Sequence, residues 1–199
     1  MKKIVVLITA VLFSALSFGQ TAKQVLDKAA AAVSSKSGVT ASFTMSSAQY
    51  GNTSGTISVK GRKFHASVPM ATMWFDGKTQ WTYMKKNNEV NVTTPTEAQL
   101  QAINPYNFIN MYKKGFKYTM TSSASSHVVH LTATNQKQKV REMFITVSKK
   151  TNAPTEVKML QGTKWTTFTI TNLKNMKLAD SEFSFNSKDY PTAEVIDLR

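Results

Sequence analysis

The chain has 199 residues, a formal net charge of +14 and no cysteine, which excludes disulfides, thiolate metal sites and a lipid-modified N-terminal cysteine. Lys2 and Lys3 carry two of those charges, so residues 20–199 stand at +12. The lysines are spread singly or in pairs (Lys85-Lys86, Lys113-Lys114, Lys149-Lys150) and arginine occurs only at 62, 141 and 199. Without arginines clustered among stacking aromatics, this pattern reads as a solvated basic surface and not as a nucleic-acid face.

Residues 1–19 have the three parts of a secretory leader: a basic tip, an apolar run from Ile4 and small residues up to Gly19. The run is shorter than the ~20 residues a spanning helix needs. Cleavage is expected between Gly19 and Gln20, leaving residues 20–199 as a soluble exported protein of one domain with no internal linker or repeat.

From Thr21 to Lys36, Ala22, Val25, Leu26, Ala29 and Val33 recur at helical spacing behind a threonine cap, with Gly38 beyond the end. The period then becomes two. Val39, Ala41, Phe43 and Met45 alternate with polar residues, as on a strand with one wet face. Ile57 and Val59 mark the next strand, and Phe64, Ala66 and Val68 the one after. Asp76-Gly77 and Asn87-Asn88 are turn signals between strands bearing Met73, Trp74, Phe75, Trp81, Tyr83, Val90 and Val92. A helical interruption follows Pro95, with Leu100, Ile103, Phe108, Ile109 and Tyr112 on its apolar side. Strands resume after Gly115 as FKYTMTSS, HVVHLTAT, VREMFITVSKK, TEVKMLQ and KWTTFTITNLK, before a tail containing Phe183, Phe185 and Val195-Ile196.

The fold class expected is mainly β (α+β): an unclosed antiparallel β-barrel of about 11 strands, with an N-terminal helix and a mid-chain helical lid or plug. A sheet of that length with one apolar face must curl or find a second layer to hide it.

Catalytic signatures are absent from the sequence. His127 and His130 lie three apart on a strand, hence on opposite faces, and His65 is remote in sequence. No zinc-binding HExxH, nucleophile elbow or glycine-rich phosphate loop occurs. Neither an enzyme, nor a metal site, nor a cofactor is expected. Nine methionines follow the leader, among them Met45, Met73, Met120, Met143 and Met159 at inward strand positions. Thioethers suit ordinary cores and adaptable apolar binding surfaces alike.

Thr40-Ala41-Ser42-Phe43-Thr44, Asp76-Gly77-Lys78-Thr79 followed by Trp81 and Tyr83, Phe144-Ile145-Thr146-Val147, Phe168-Thr169-Ile170 and Phe183-Ser184-Phe185 occur in an order that resembles the periplasmic outer-membrane lipoprotein carrier proteins, LolA and its relatives. The resemblance implies a monomeric periplasmic carrier whose hydrophobic cavity takes up the acyl chains of lipoproteins. It also implies two partners, an inner-membrane lipoprotein-releasing transporter and an outer-membrane acceptor.

On that basis the acyl-chain cavity is expected from Phe43, Met45, Ile57, Val59, Phe64, Met73, Phe75, Trp81 and Tyr83. Met120, Leu131, Met143, Ile145, Phe168 and Ile170 would complete its far wall, and Phe108, Ile109 and Tyr112 would form the lid. The family's lid-controlling arginine corresponds by position to Arg62, although it is offset by about one residue and no proline follows it. An exported lipid- or lipopeptide-sensing module of the same fold, without a transport role, is the alternative.

Overall fold

The structure, a computed structural model, describes residues 20–49, 51–96, 100, 111–135 and 137–199. It opens with helix α1 (Ala22–Ala32), fixed at its start by a capping box. The Thr21 hydroxyl accepts the Gln24 amide at 3.2 Å, and the Gln24 side chain accepts the Thr21 amide at 2.9 Å. Val25, Leu26, Ala29 and Ala30 form its buried side.

The helix ends short of the expected Lys36. Beyond it the Ser34 hydroxyl donates back to the Ala30 carbonyl at 2.6 Å, and the hydroxyls of Ser35 and Ser37 bond each other. Such local side-chain bonds compete with further helical turns.

Among the described residues twelve strands follow: β1 (Val39–Ser47), β2 (Gly51–Lys60), β3 (Lys63–Ser67), β4 (Ala71–Phe75), β5 (Gln80–Met84), β6 (Glu89–Thr93), β7 (Phe116–Ser122), β8 (Ser126–Ala133), β9 (Val140–Ser148), β10 (Pro154–Gln161), β11 (Lys164–Asn175) and β12 (Glu194–Asp197). They form one sheet in the order β12-β6-β5-β4-β3-β2-β1-β11-β10-β9-β8-β7. Two meanders, β1–β6 and β7–β11, thus meet at the central β1/β11 pair, and the sheet stays open between its edges β7 and β12. The expected unclosed, mainly antiparallel β-fold is observed, with twelve strands in place of eleven. The added strand is the short apolar run at the C-terminus, which pairs parallel to β6.

Asp76 closes the β4–β5 turn by accepting the amides of Lys78 and Thr79 at 2.8 and 2.7 Å, while Gly77 takes φ +105. Asn88 takes φ 56 in the β5–β6 turn, a conformation asparagine tolerates better than most residues. Where β1 meets β11 the register slips between Thr40 and Ser42. Asn172, at φ 54, accommodates the extra residue on β11.

The two faces of the sheet are covered differently. On the inner face α1 lies against β7, β8 and β9, and its apolar side joins one hydrophobic core with side chains from both meanders. The C-terminal segment from Leu178 onward covers the outer face of β3 and β4 through a short 3-10 turn, Asp180–Phe183. Phe183 is fully buried there. Trp74 meets Phe185 and Tyr190 edge-on at 5.7 and 5.5 Å, and Tyr83 meets Tyr190 at 4.6 Å.

The helical interruption expected around residues 95–112 lies mostly outside the described residues, Ile103, Phe108 and Ile109 included. Its described ends, Leu100 and Tyr112, are both buried in the inner core.

Candidate functional site

Residues directly opposite one another in paired strands share a face, so the register assigns each expected cavity residue to a side. On the first meander, Ala41 faces Ile57, Val59 faces Phe64, Phe64 faces Phe75 and Ala66 faces Met73. At the centre Phe43 pairs with Ile170 and Met45 with Phe168. On the second meander Met120, Val129 and Ile145 form one row, and Tyr118, Leu131 and Met143 another. Thirteen of the expected cavity residues therefore share the inner face.

Trp81 and Tyr83 do not. Trp81 pairs with Trp74 and Val92, and Tyr83 with Thr72 and Val90, all on the outer face. The reason is geometric. Four residues, Asp76–Thr79, separate the paired Phe75 and Gln80, and a turn of even length inverts which residue numbers point inward. Odd positions face the core on β4, even ones on β5. The two aromatics belong to the layer beneath the C-terminal segment and leave the cavity list.

The thirteen inner residues fall into two groups. Ile57, Val59, Phe64, Phe75, Leu131, Met143 and Ile145 are buried in the core, with the Phe64 and Phe75 rings 5.5 Å apart. Phe43, Met45, Met73, Met120, Phe168 and Ile170 are only half-buried. Four of these six form the two direct pairs of β1 with β11, at the centre of the sheet. Gly55 lies opposite Phe43, and a Cβ there would come within 3.1 Å of the ring. The glycine leaves room for the Phe43 ring over β2.

Tyr118, Val129, Val157 and Met159 complete the same rows. Their strands' two-residue alternation carries that signal in the sequence.

Toward β5 and β6 this face turns polar, with Gln80 opposite Thr93 and Thr82 opposite Asn91. Ser47 and Thr166 bond each other at 2.8 Å in a buried position. Gln80, level with Phe75, donates its amide to Thr82 at 3.1 Å, and its buried Oε1 has no hydrogen-bond partner. Tyr112, expected on the lid, is wholly buried. Its hydroxyl donates to Asp27 of α1 at 2.5 Å, and its carbonyl accepts the Tyr118 hydroxyl at 2.6 Å. The three residues tie α1 to the chain entering β7. Burial, then the bond to Asp27, raises the Tyr112 phenol above its ordinary value. Hydrogen bonding from Lys23, then from Tyr112, holds the Asp27 carboxyl below the usual range. Arg62 is exposed in the turn between β2 and β3.

The histidines stand apart. His127 pairs with Val147 on the inner face and bonds Ser122 at 2.7 Å. His130 is on the outer face, stacked on Phe144 at 4.2 Å and bonded to Glu142 at 3.0 Å. His65 is also on the outer face, stacked on Trp74 at 5.4 Å. Among the described residues no three His, Cys, Asp or Glu side chains are grouped to hold a metal, and no helix is long and apolar enough to cross a membrane.

A long open sheet whose inner face is apolar from β2–β4 through β1 and β11 to β7–β9, with a helix laid against it, defines an open β-fold built around an apolar interior. Residues 14–163 match the family described as outer membrane lipoprotein carrier protein LolA, and the chain belongs to that family. No match was found among curated proteins.

Of solved structures, an uncharacterized conserved protein from Thermus thermophilus is similar at a TM-score of 0.61 and 13% identity, over 89% of this chain and 99% of that one. A LolA superfamily protein from Nitrosomonas europaea is similar at a TM-score of 0.42 and 10% identity, over 84% of this chain and 99% of the other. A putative outer membrane lipoprotein-sorting protein domain from Vibrio parahaemolyticus reaches 0.45 and 9%, over 84% and 97%. At these identities the likeness is one of fold.

Proposed function

We propose that this protein is a periplasmic carrier that holds the acyl chains of lipoproteins against the inner face of its sheet and passes them toward the outer membrane. Residues 1–19 would direct export and be removed, leaving residues 20–199 as the working domain. Cargo would arrive from an inner-membrane lipoprotein-releasing transporter and leave to an outer-membrane acceptor. The chemistry is binding without catalysis.

One observation carries this reading. A family member keeps Phe43, Met45, Met73, Met120, Phe168 and Ile170 half-buried on the face that also forms its core. Apolar side chains left incompletely covered gain by contact with an acyl chain, and burial of such a chain is worth about 0.8 kcal/mol per methylene. The methionines among them can repack around chains of different length. Removal of an acylated protein from a bilayer requires this gain to offset what the membrane supplies.

Native mass spectrometry of the protein purified from lipoprotein-producing cells tests the proposal. A co-purifying acylated species is expected, and it should be lost in Met73→Asp. A clean empty mass, with no uptake of added diacyl lipid by the folded wild type, would leave the inner face as an ordinary core and refute the carrier reading.

A further inference from the structure

The end of the sheet that carries the β3–β4 turn has a surface the inner face does not explain. Val68 and Ala71 close this turn on both sides, exchanging amide-to-carbonyl bonds of 2.9 and 3.3 Å. The two residues between them are Pro69 and Met70. Met70 is 68% exposed, more than any other large hydrophobic side chain among the described residues.

Tight hairpin turns select Asn, Asp and Gly for their backbone freedom, and this chain places such residues in its turns at Asp76-Gly77, Asn87-Asn88 and Gly162. Pro69-Met70 forgoes that chemistry. A stiff turn instead holds one apolar side chain out in solvent.

The neighbouring turn brackets it with positive charge. The Lys85 amide donates to the Met70 carbonyl at 3.1 Å, its ammonium group donates to the Val68 carbonyl at 3.2 Å, and Lys86 beside it is exposed. Because the strands of the two meanders alternate in direction, the residues entering β7 and the connections between β8 and β9 and between β10 and β11 lie at the same end. They present the exposed Lys113, Lys114, Lys137, Lys139 and Lys164. No ion pair among the described residues involves these lysines. The same end also carries Glu89, which accepts a bond from Asn87, and Glu194, paired with Glu89 at the β12 edge. At the other end Lys60 and Lys63 share Asp180.

We infer that this end of the molecule docks on an anionic lipid bilayer, with Met70 entering the headgroup boundary and Lys85 and Lys86 meeting lipid phosphates. An acidic protein surface could match the lysines, yet a lone methionine on a two-residue turn is too small to anchor a protein interface. A bilayer needs only a point of entry. Insertion of one apolar group is weak by itself and becomes effective when combined with basic residues near anionic lipid. The docking surface lies outside the residues proposed to hold acyl chains.

Flotation of the purified, lipid-free protein with vesicles of phosphatidylethanolamine and phosphatidylglycerol tests the inference, with phosphatidylcholine vesicles as reference. Binding to the anionic vesicles alone is expected, with release at raised salt. Met70→Ser should weaken it several-fold. Lys85→Glu with Lys86→Glu should weaken it roughly tenfold or more, whereas Lys149→Glu with Lys150→Glu, at the opposite end, should leave it nearly unchanged.

Since the chain has no cysteine, Met70→Cys accepts a single environment-sensitive fluorophore. Its emission should shift blue on anionic vesicles, and that of a label at Lys150→Cys should not. Absence of vesicle binding would overturn the docking proposal, as would binding indifferent to both the Met70 and the Lys85/Lys86 changes, or capture by polyglutamate without capture by vesicles. Acyl uptake, read separately through Met73→Asp, would be unaffected by such a failure.

Discussion

At Gly55 a missing side chain permits two close approaches. A Cβ there would stand 2.2 Å from the Ser67 carbonyl oxygen and 2.9 Å from the Val68 side chain, besides crowding Phe43. Backbone cannot swing aside as a flexible side chain can. Gly55→Ala is therefore expected to destabilise the fold by roughly 1–3 kcal/mol, read as a lower denaturant midpoint at unchanged slope.

His65 is the second residue with a measurable signature. Its Nε2 is buried without a partner, and burial holds its pKa below the ordinary 6.5, while Glu182 acts weakly the other way. A folded-state pKa below the unfolded one means that the unfolded chain binds the proton more readily. Stability must then fall as pH drops from above about 6.5 toward the folded value. His127, lowered mainly by burial, contributes in the same direction. The melting temperature of the wild type should fall with acidification across that window, and His65→Phe should fall less steeply. Parallel curves for the two proteins would refute this role for His65.

Elements were legible in the sequence to different degrees. The two-residue alternation in FKYTMTSS and VREMFITVSKK located β7 and β9, and Gly or Asn residues marked the turns, because these signals are local. Strand β12 has no local signal beyond Val195-Ile196. It exists because β6, one hundred residues earlier in the chain, offers it an edge.

The facing of Trp81 and Tyr83 was readable in principle. The apolar residues Met73 and Phe75 on β4 and Trp81 and Tyr83 on β5 all stand at odd positions across an even turn, which places the latter two outward. Trp74 and Phe75, adjacent and both aromatic, concealed this by loading the two faces alike. Most of the inner face followed from alternation alone. Its division into buried and half-buried side chains did not, because that depends on how α1, Leu100 and Tyr112 come together over the sheet from distant parts of the chain.

The C-terminal segment allows a test at the same scale. Removing residues 178–199 would strip Phe183, Phe185 and Tyr190 from the outer face and free the edge of β6. The tryptophan emission should shift red and the protein should self-associate, since an uncovered strand edge templates further pairing. A truncated protein that stayed monomeric with unchanged emission would show the segment to be dispensable for covering that face.

For the molecule as a whole, the inner face must serve both as the core and as the proposed binding surface, and this determines which substitutions are informative. Ile145 is fully buried in the core, so a charge there is expected to unfold the protein and report nothing about uptake. Met73 is half-buried, so Met73→Asp should remain folded by circular dichroism while losing acyl uptake. Loss of folding in Met73→Asp as well would show that the two groups of side chains act as one core.

The cover of the outer face also has a bearing on the order of assembly. Trp74 and Tyr83 belong to the first meander, but Phe185 and Tyr190, which shield them, are made after the second. A chain emerging from its N-terminus can build the first meander and must still hold an uncovered aromatic patch until Phe185 and Tyr190 arrive. Synthesis past Tyr190 is thereby registered on the surface: any product ending before it displays apolar area that Phe185 and Tyr190 would conceal, which a protease or chaperone can recognise without reading the sequence.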